Sequence, residues 1–170
     1  MNEANISPLN QRLAEACQAA GAACCHSGFL FLPDTEYLAL AAWLEANHPG
    51  ERAQFEARMM PLTHAGFHLY DQRHRCQFLD RARRCRLHKA GVKPTECFWW
   101  PYHVYAADNG QLEIRVCTAC CEAHRQSETA TDFVDTIECQ ARAIGLDLMR
   151  DFRREYAGGY PTRLVRTIAP

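Results

Sequence analysis

No apolar run in this chain approaches the roughly 20 residues that cross a bilayer. The longest, Tyr37 to Leu44, has the length of a core helix, and a membrane span is not expected. The opening MNEANISPLNQRL lacks a basic stretch followed by an apolar one, so no secretory signal is expected there. Net charge is nearly absent: 19 Lys and Arg against 20 Asp and Glu leave −1 over 170 residues. Such a balance excludes a polyelectrolyte and wholesale disorder. Also missing are a glycine-rich phosphate loop, a paired-carboxylate motif and a Ser-His-Asp order, so no catalytic residue is named from the sequence. Repeats, long linkers and low-complexity tracts are absent too. A hydrophobic share of 48% then suits one packed domain spanning residues 1–170.

Cysteine, by contrast, is abundant, with ten in the chain. Without a secretory signal the expected location is cytoplasmic, where thiols stay reduced and such a number points to metal or redox chemistry rather than disulfides. Cys17 and Cys139 suit small buried hydrophobes. The candidate ligands are Cys24 and Cys25, then Cys76, Cys85 and Cys97, then Cys117, Cys120 and Cys121 in the string CTACC. A tetrahedral thiolate site takes four sulfurs about 2.3 Å from zinc, or one sulfur on each iron of a four-iron cluster. These cysteines exceed one site. Adjacent cysteines have difficulty ligating the same ion, so one of Cys24 and Cys25 is expected to ligate and the other to be buried, serve a second site or act in redox exchange.

The cations are unevenly spread. From Asp71 to Lys93 eight Lys and Arg face only Asp71 and Asp80. A zinc or four-iron cluster held by four thiolates carries a double negative charge, which nearby cations offset. Arg75, Arg84 and Arg86 flank Cys76 and Cys85 and are expected to do so. A nucleic-acid footprint with Trp99, Trp100 and Tyr102 as stacking platforms is the competing explanation. It is not expected, because no charge that could track a backbone extends beyond this segment.

The pattern of residues predicts helices over 8–20, over 35–47 behind Asp34, and over 51–60 up to Pro61, with a short apolar run at Phe29 to Leu32. Tyr102 to Tyr105 and Gln111 to Val116 flank Asp108-Asn-Gly110, a β-hairpin signal. Phe133, Ile137, Ala141, Ile144, Leu148 and Phe152 recur at helical spacing and predict one long C-terminal helix. Residues 64–100 show little periodicity, as a segment ordered by ligands would. The expected fold is a small metal-organised α+β domain, mainly helical, with one hairpin and that long helix.

The order Cys76-Gln-Phe-Leu79, Cys85-Arg-Leu-His88, Lys93-Pro-Thr-Glu-Cys97 and Trp100-Pro101, behind a Cys-Cys pair, resembles the YkgJ-type cysteine-cluster proteins, a family described as zinc- or iron-chelating. The resemblance covers about Cys24 to Cys121. It implies that Cys25 or Cys24, Cys76, Cys85 and Cys97 bind metal and that Cys117 matches a further cysteine after the hairpin. The chain departs from the family pattern at His88 for Tyr, Lys93 for Arg, Phe98 for Arg and Trp100 for Phe. It also lacks the C-x-x-C that often precedes the pair, unless Cys17 substitutes.

Two metals suit this series. Structural zinc favours paired knuckles, and Cys117-Thr-Ala-Cys120 offers one. Surplus thiols, and the aromatic block Phe98, Trp99, Trp100, Tyr102 and Tyr105 beside Cys97, favour a four-iron cluster shielded from water. His26, His88, His103 and His124 stand close enough in sequence to be ligands, whereas His64 and His68 remain unassigned. The leading expectation is an iron–sulfur protein, possessing redox or modification chemistry. The alternative is a zinc-stabilised binding or adaptor module, and the protein partner or substrate is not specified by either.

Overall fold

The apolar run of Phe29–Pro33 forms strand β1, buried at every position after Phe29. It pairs antiparallel with β2, Phe67–Asp71, with Phe31 opposite Leu69. Pro33 closes β1 and occupies the N-cap position of helix α1, Asp34–Asn47, which has no side-chain cap. Asp34 and Glu36 in its first turn instead face the positive end of the helix dipole. Helix α2, Pro49–Glu56, opens on a proline, whose missing amide costs nothing at that position. The helix expected over 51–60 therefore starts earlier and stops at Glu56. Residues 58–60 leave it to pair with β2: the Met60 amide donates to the Leu69 carbonyl at 2.9 Å, and the Asp71 amide to the Arg58 carbonyl at 2.9 Å.

The computed structural model describes residues 15, 17–19, 21–26, 28–61, 66–119, 131–155 and 161–170. The chain divides into two compact units, 1–98 and 99–170. The first is built around Leu30, Leu32, Leu40, Leu44, Phe55, Tyr70, Phe78 and Leu87. Phe55 is fully buried, its ring 5.8 Å from Tyr37, 5.6 Å from Tyr70 and 6.0 Å from Phe78. Against this core lie two short helices, α3 at Leu87–Ala90 and α4 at Thr95–Trp99, the latter ending at the boundary between the units.

In the second unit β3, Tyr102–Ala106, and β4, Leu112–Cys117, run antiparallel. The Ala107 amide donates to Gln111 and the Gly110 amide to Ala107, both at 2.8 Å, and Gly110 adopts the positive φ of 80° that this turn needs. A third strand, β5 at Thr162–Thr167, pairs with β4, giving the order β3-β4-β5. The single long helix expected at the C-terminal end is instead two, α5 at Thr131–Ile144 and α6 at Leu146–Glu155. Gly145, at φ 117°, breaks them, because that backbone conformation cannot continue a right-handed helix. Val134, Ile137, Ala141, Met149 and Phe152 are nevertheless all buried. Helices and two small antiparallel sheets make the fold α+β. Among the described residues no helix is long and apolar enough to cross a membrane.

Candidate metal centre

Each candidate ligand of the first unit is delivered by its own piece of chain. Cys25 sits in a 3-10 turn, Ala23–His26, entered through Gly21 and Ala22 at positive φ. The Ala22 amide donates to the Cys17 carbonyl at 2.7 Å and the Cys25 amide to the Ala22 carbonyl at 2.8 Å. The Cys25 carbonyl in turn accepts the Cys76 amide at 2.6 Å, joining two segments far apart in sequence. From Cys76 the chain doubles back. Leu79 bridges Cys85, the Asp80 amide donates to Arg84 at 2.9 Å, and the Arg86 amide donates to Phe78 at 2.9 Å. Asp80 holds the tip by accepting the Arg84 amide on its carboxylate at 2.9 Å, while Arg83 turns the chain at φ 61°.

The Cys85 carbonyl accepts the His88 amide at 3.2 Å at the start of α3, which Gly91 ends in the left-handed conformation. Cys97 lies in α4, and two carboxylates fix that helix. Glu36 accepts the Thr95 amide at 3.1 Å and 3.2 Å, satisfying a donor at the helix start. Buried Glu96 accepts the Phe31 amide on β1 at 2.9 Å. Burial raises the Glu36 carboxyl above its ordinary range, partly offset by the Thr95 hydrogen bonds.

Cys25, Cys85 and Cys97 pack, partly buried, against the core cluster to which buried Cys76 belongs. Burial pushes the Cys76 thiol up from an ordinary 9.0 to about 12, and the neighbouring Cys25 and Cys85 add to the rise. Burial also raises Cys85, and raises Cys97 well above its ordinary value; Cys25 acts on both, and Cys76 and Cys85 act on Cys97. The four sulfurs are thus within electrostatic reach of one another. Donors already approach two of them: the Phe78 amide and the Gln72 side chain at Cys76, and the Leu87 and His88 amides at Cys85. Such bonds stabilise a thiolate.

The cations differ from expectation. Arg84 pairs with Asp80 at 3.0 Å on the surface, and Arg75 donates to the carbonyls of Leu79 and Asp80 at 3.3 Å and 3.1 Å. Arg86 donates to Glu51 through both terminal guanidinium nitrogens, although Cys76 and Cys85 still act on it. Lys93 acts on both Cys85 and Cys97, lowering each against the effect of burial. Its Nζ lies 3.4 Å from His88 Nδ1 and 4.6 Å above the Phe98 ring. Burial, and then Lys93, holds His88 below its ordinary value. The sequence counts Lys93 among the cations of this segment and as a departure from the family pattern, without assigning it to a thiol. Its place five residues beyond His88 was the signal available.

The remaining candidates fall elsewhere. Cys24 lies in the same turn as Cys25, with its side chain outside the described part; Cys120, Cys121, His64 and His124 are outside the described residues. Cys117 belongs to the second unit, buried at the end of β4, its amide donating to Pro101 at 2.9 Å. Cys17 packs on the first unit's core, but Cys139, expected to be buried, is exposed on α5. His26 is exposed, and His68 stacks on Tyr37 at 3.8 Å and contacts Asp34 at 3.1 Å. Trp99 is buried and donates from Nε1 to Gln140 at 2.7 Å, and Tyr102 packs edge-on against Phe133 at 5.6 Å, both within the second unit.

Among the described residues, no three His, Cys, Asp or Glu side chains form a group that would hold a metal ion as they stand. The donor set nonetheless has the chemistry of a soft-metal site: thiols from separate segments, apolar surroundings, amide donors at two sulfurs and a lysine beside two. No protein-family description matches the chain, and no curated protein or solved structure compared with it does.

Proposed function

We propose that this chain is a metal-thiolate protein whose ligands are Cys25, Cys76, Cys85 and Cys97, and that the group it takes is a four-iron cluster. The observation that carries this is the packing of these cysteines, from four chain segments, on one core cluster within electrostatic reach of one another. They are also the cysteines that the order CQFL, CRLH and KPTEC marks in the resemblance to YkgJ-type proteins. Binding requires the thiols to lose their protons and the loops that carry them to draw in. The short hairpin between Cys76 and Cys85 and the 3-10 turn at Cys25 are the pieces that would move, while Glu36 and Glu96 keep α4 in place. Bound there, an iron–sulfur cluster supplies single-electron storage, whereas zinc supplies a cross-link between loops.

The zinc reading keeps the same ligands and makes the protein a binding module. It draws on the same observation, cysteines from separate segments on one core, which a zinc ion would cross-link. Purification without oxygen, followed by iron, acid-labile sulfide and zinc analysis, separates the two. Iron and sulfide in equal amounts, with visible absorbance, support the cluster. Stoichiometric zinc, with unfolding on chelation and no redox signal, supports the module. Colourless protein with neither metal, even after reconstitution, overturns both.

A further inference from the structure

The turn that carries Cys25 meets the hairpin between Cys76 and Cys85 at more than the bond from the Cys76 amide to the Cys25 carbonyl at 2.6 Å. Gln18 reaches the tip of the hairpin, its side-chain amide donating to the Ala82 carbonyl at 3.1 Å. A third meeting lies at Gly21. The Gly21 amide donates to the Gln18 carbonyl at 3.0 Å and the Ala22 amide to the Cys17 carbonyl at 2.7 Å, the two bonds that close a helix end on a left-handed glycine. Gly21 has the φ of 76° that this closure needs. The space left by its missing side chain is taken by Arg83: a Cβ on Gly21 would stand 2.8 Å from Arg83 Nη1 and 3.7 Å from Cζ. Arg83 is itself left-handed at φ 61°, a conformation that glycine or asparagine adopts more readily. Held there, its guanidinium lies over the Gly21 backbone.

We infer that Gln18, Gly21 and Arg83 form a clasp that positions Cys25 against the Cys76–Cys85 hairpin, so that turn and hairpin move as one body. This inference rests on the metal-thiolate reading above and deepens it. Three ligands then close as a set on Cys97, which Glu36 and Glu96 hold in place through α4. Gln18 and Arg83 are exposed, so the clasp can be altered without opening the core.

The test uses the full-length, metal-free chain and follows single amides by hydrogen exchange in NMR. The Cys76 amide reports the bond to Cys25, and the Met60 amide, which donates to Leu69, reports the core of the same unit. Arg83→Ala and Gln18→Ala should each speed exchange at Cys76 by about fivefold, the scale of one lost hydrogen bond or close contact, and leave Met60 as in the parent. Gly21→Asn tolerates the left-handed backbone but fills the place of Arg83, so it should match Arg83→Ala. The two together should be no faster than either, because both remove the same contact. Co2+ then serves as the probe for the site: the clasp variants should bind it about tenfold more weakly, the range for loss of a group that supports metal ligands, with a weaker thiolate-to-cobalt band. Arg81→Ala, which removes a neighbouring exposed cation outside the clasp, should match the parent in both measurements. If Gly21→Asn fails to fold, Arg83→Ala and Gln18→Ala carry the test. Parental exchange at Cys76 in both of these, equal acceleration at Met60, or parental cobalt affinity in the clasp variants overturns this inference alone. Faster exchange at Cys76 in variants of a parent chain that takes up no Co2+ overturns the metal-thiolate reading and leaves the clasp as the contact that joins turn to hairpin.

Discussion

At the scale of single residues, the thiols carry a pH dependence whose sign follows from their burial. Cys76 holds its proton up to about 12 in the folded chain, against an ordinary 9.0 when exposed. The folded state thus binds a proton that the unfolded state has lost, so the stability this thiol contributes is complete below its ordinary value and disappears as the pH rises toward the folded one. Cys85 and Cys97 are raised as well, and Tyr70, raised chiefly by burial, acts in the same direction. The metal-free protein should therefore show a urea midpoint that falls steadily from about pH 8 to about pH 11. Cys76→Ala should flatten part of that fall, and a midpoint independent of pH over this range would contradict the burial of these thiols. Metal uptake runs the other way, because each ligand must lose its proton, so affinity should rise with pH.

At this scale the sequence shows which residue types are present, and the fold shows where they lie. The cysteines stand out by type without any knowledge of the fold, but type does not separate Cys25, Cys76, Cys85 and Cys97 from the other six. The shared location of these four on one core could not be deduced from the intervals between them, which are long and irregular. The roles of the cations were not legible either. Proximity in sequence had assigned Arg75, Arg84 and Arg86 to the thiols, but Asp80, Glu51 and backbone carbonyls engage them, and such partners are invisible until the chain is folded.

At the scale of elements, short pieces are held by side chains borrowed from longer ones. Helix α4 spans only Thr95–Trp99, too short to be stable by itself. Glu36 from α1 satisfies its first amide, and Glu96 ties it to β1. Glu96→Ala should leave the Phe31 amide without that acceptor in a buried place and cost about 1–3 kcal/mol in chemical denaturation. Glu96→Gln, which keeps an oxygen, should cost less. A Glu96→Ala variant as stable as the parent would show that this bond does not hold α4. The helix expected over 35–47 formed as Asp34–Asn47, because Pro33 before it and His48 and Pro49 after it set its ends. The misses have local causes. Gly145 divides the last helical pattern by its backbone conformation, and β5, with sequence TRLVRT, has charged residues at two of its six positions and only partial burial, so it carries little apolar signal.

At the scale of the whole molecule, the described residues form two compact units, each with its own sheet, and the four proposed ligands all belong to the first. Cys117 and Cys139 belong to the second. Binding through the first unit's thiols alone makes a sharp division among cysteines that composition could not make. The most direct test is the metal content of single Cys→Ser variants, each purified without oxygen and reconstituted alongside the parent chain. The account predicts near-complete loss of bound metal in Cys25→Ser, Cys76→Ser, Cys85→Ser and Cys97→Ser, and parental content in Cys117→Ser and Cys139→Ser. Full metal content in any two of the first four, or its loss in Cys117→Ser with those four intact, would contradict it.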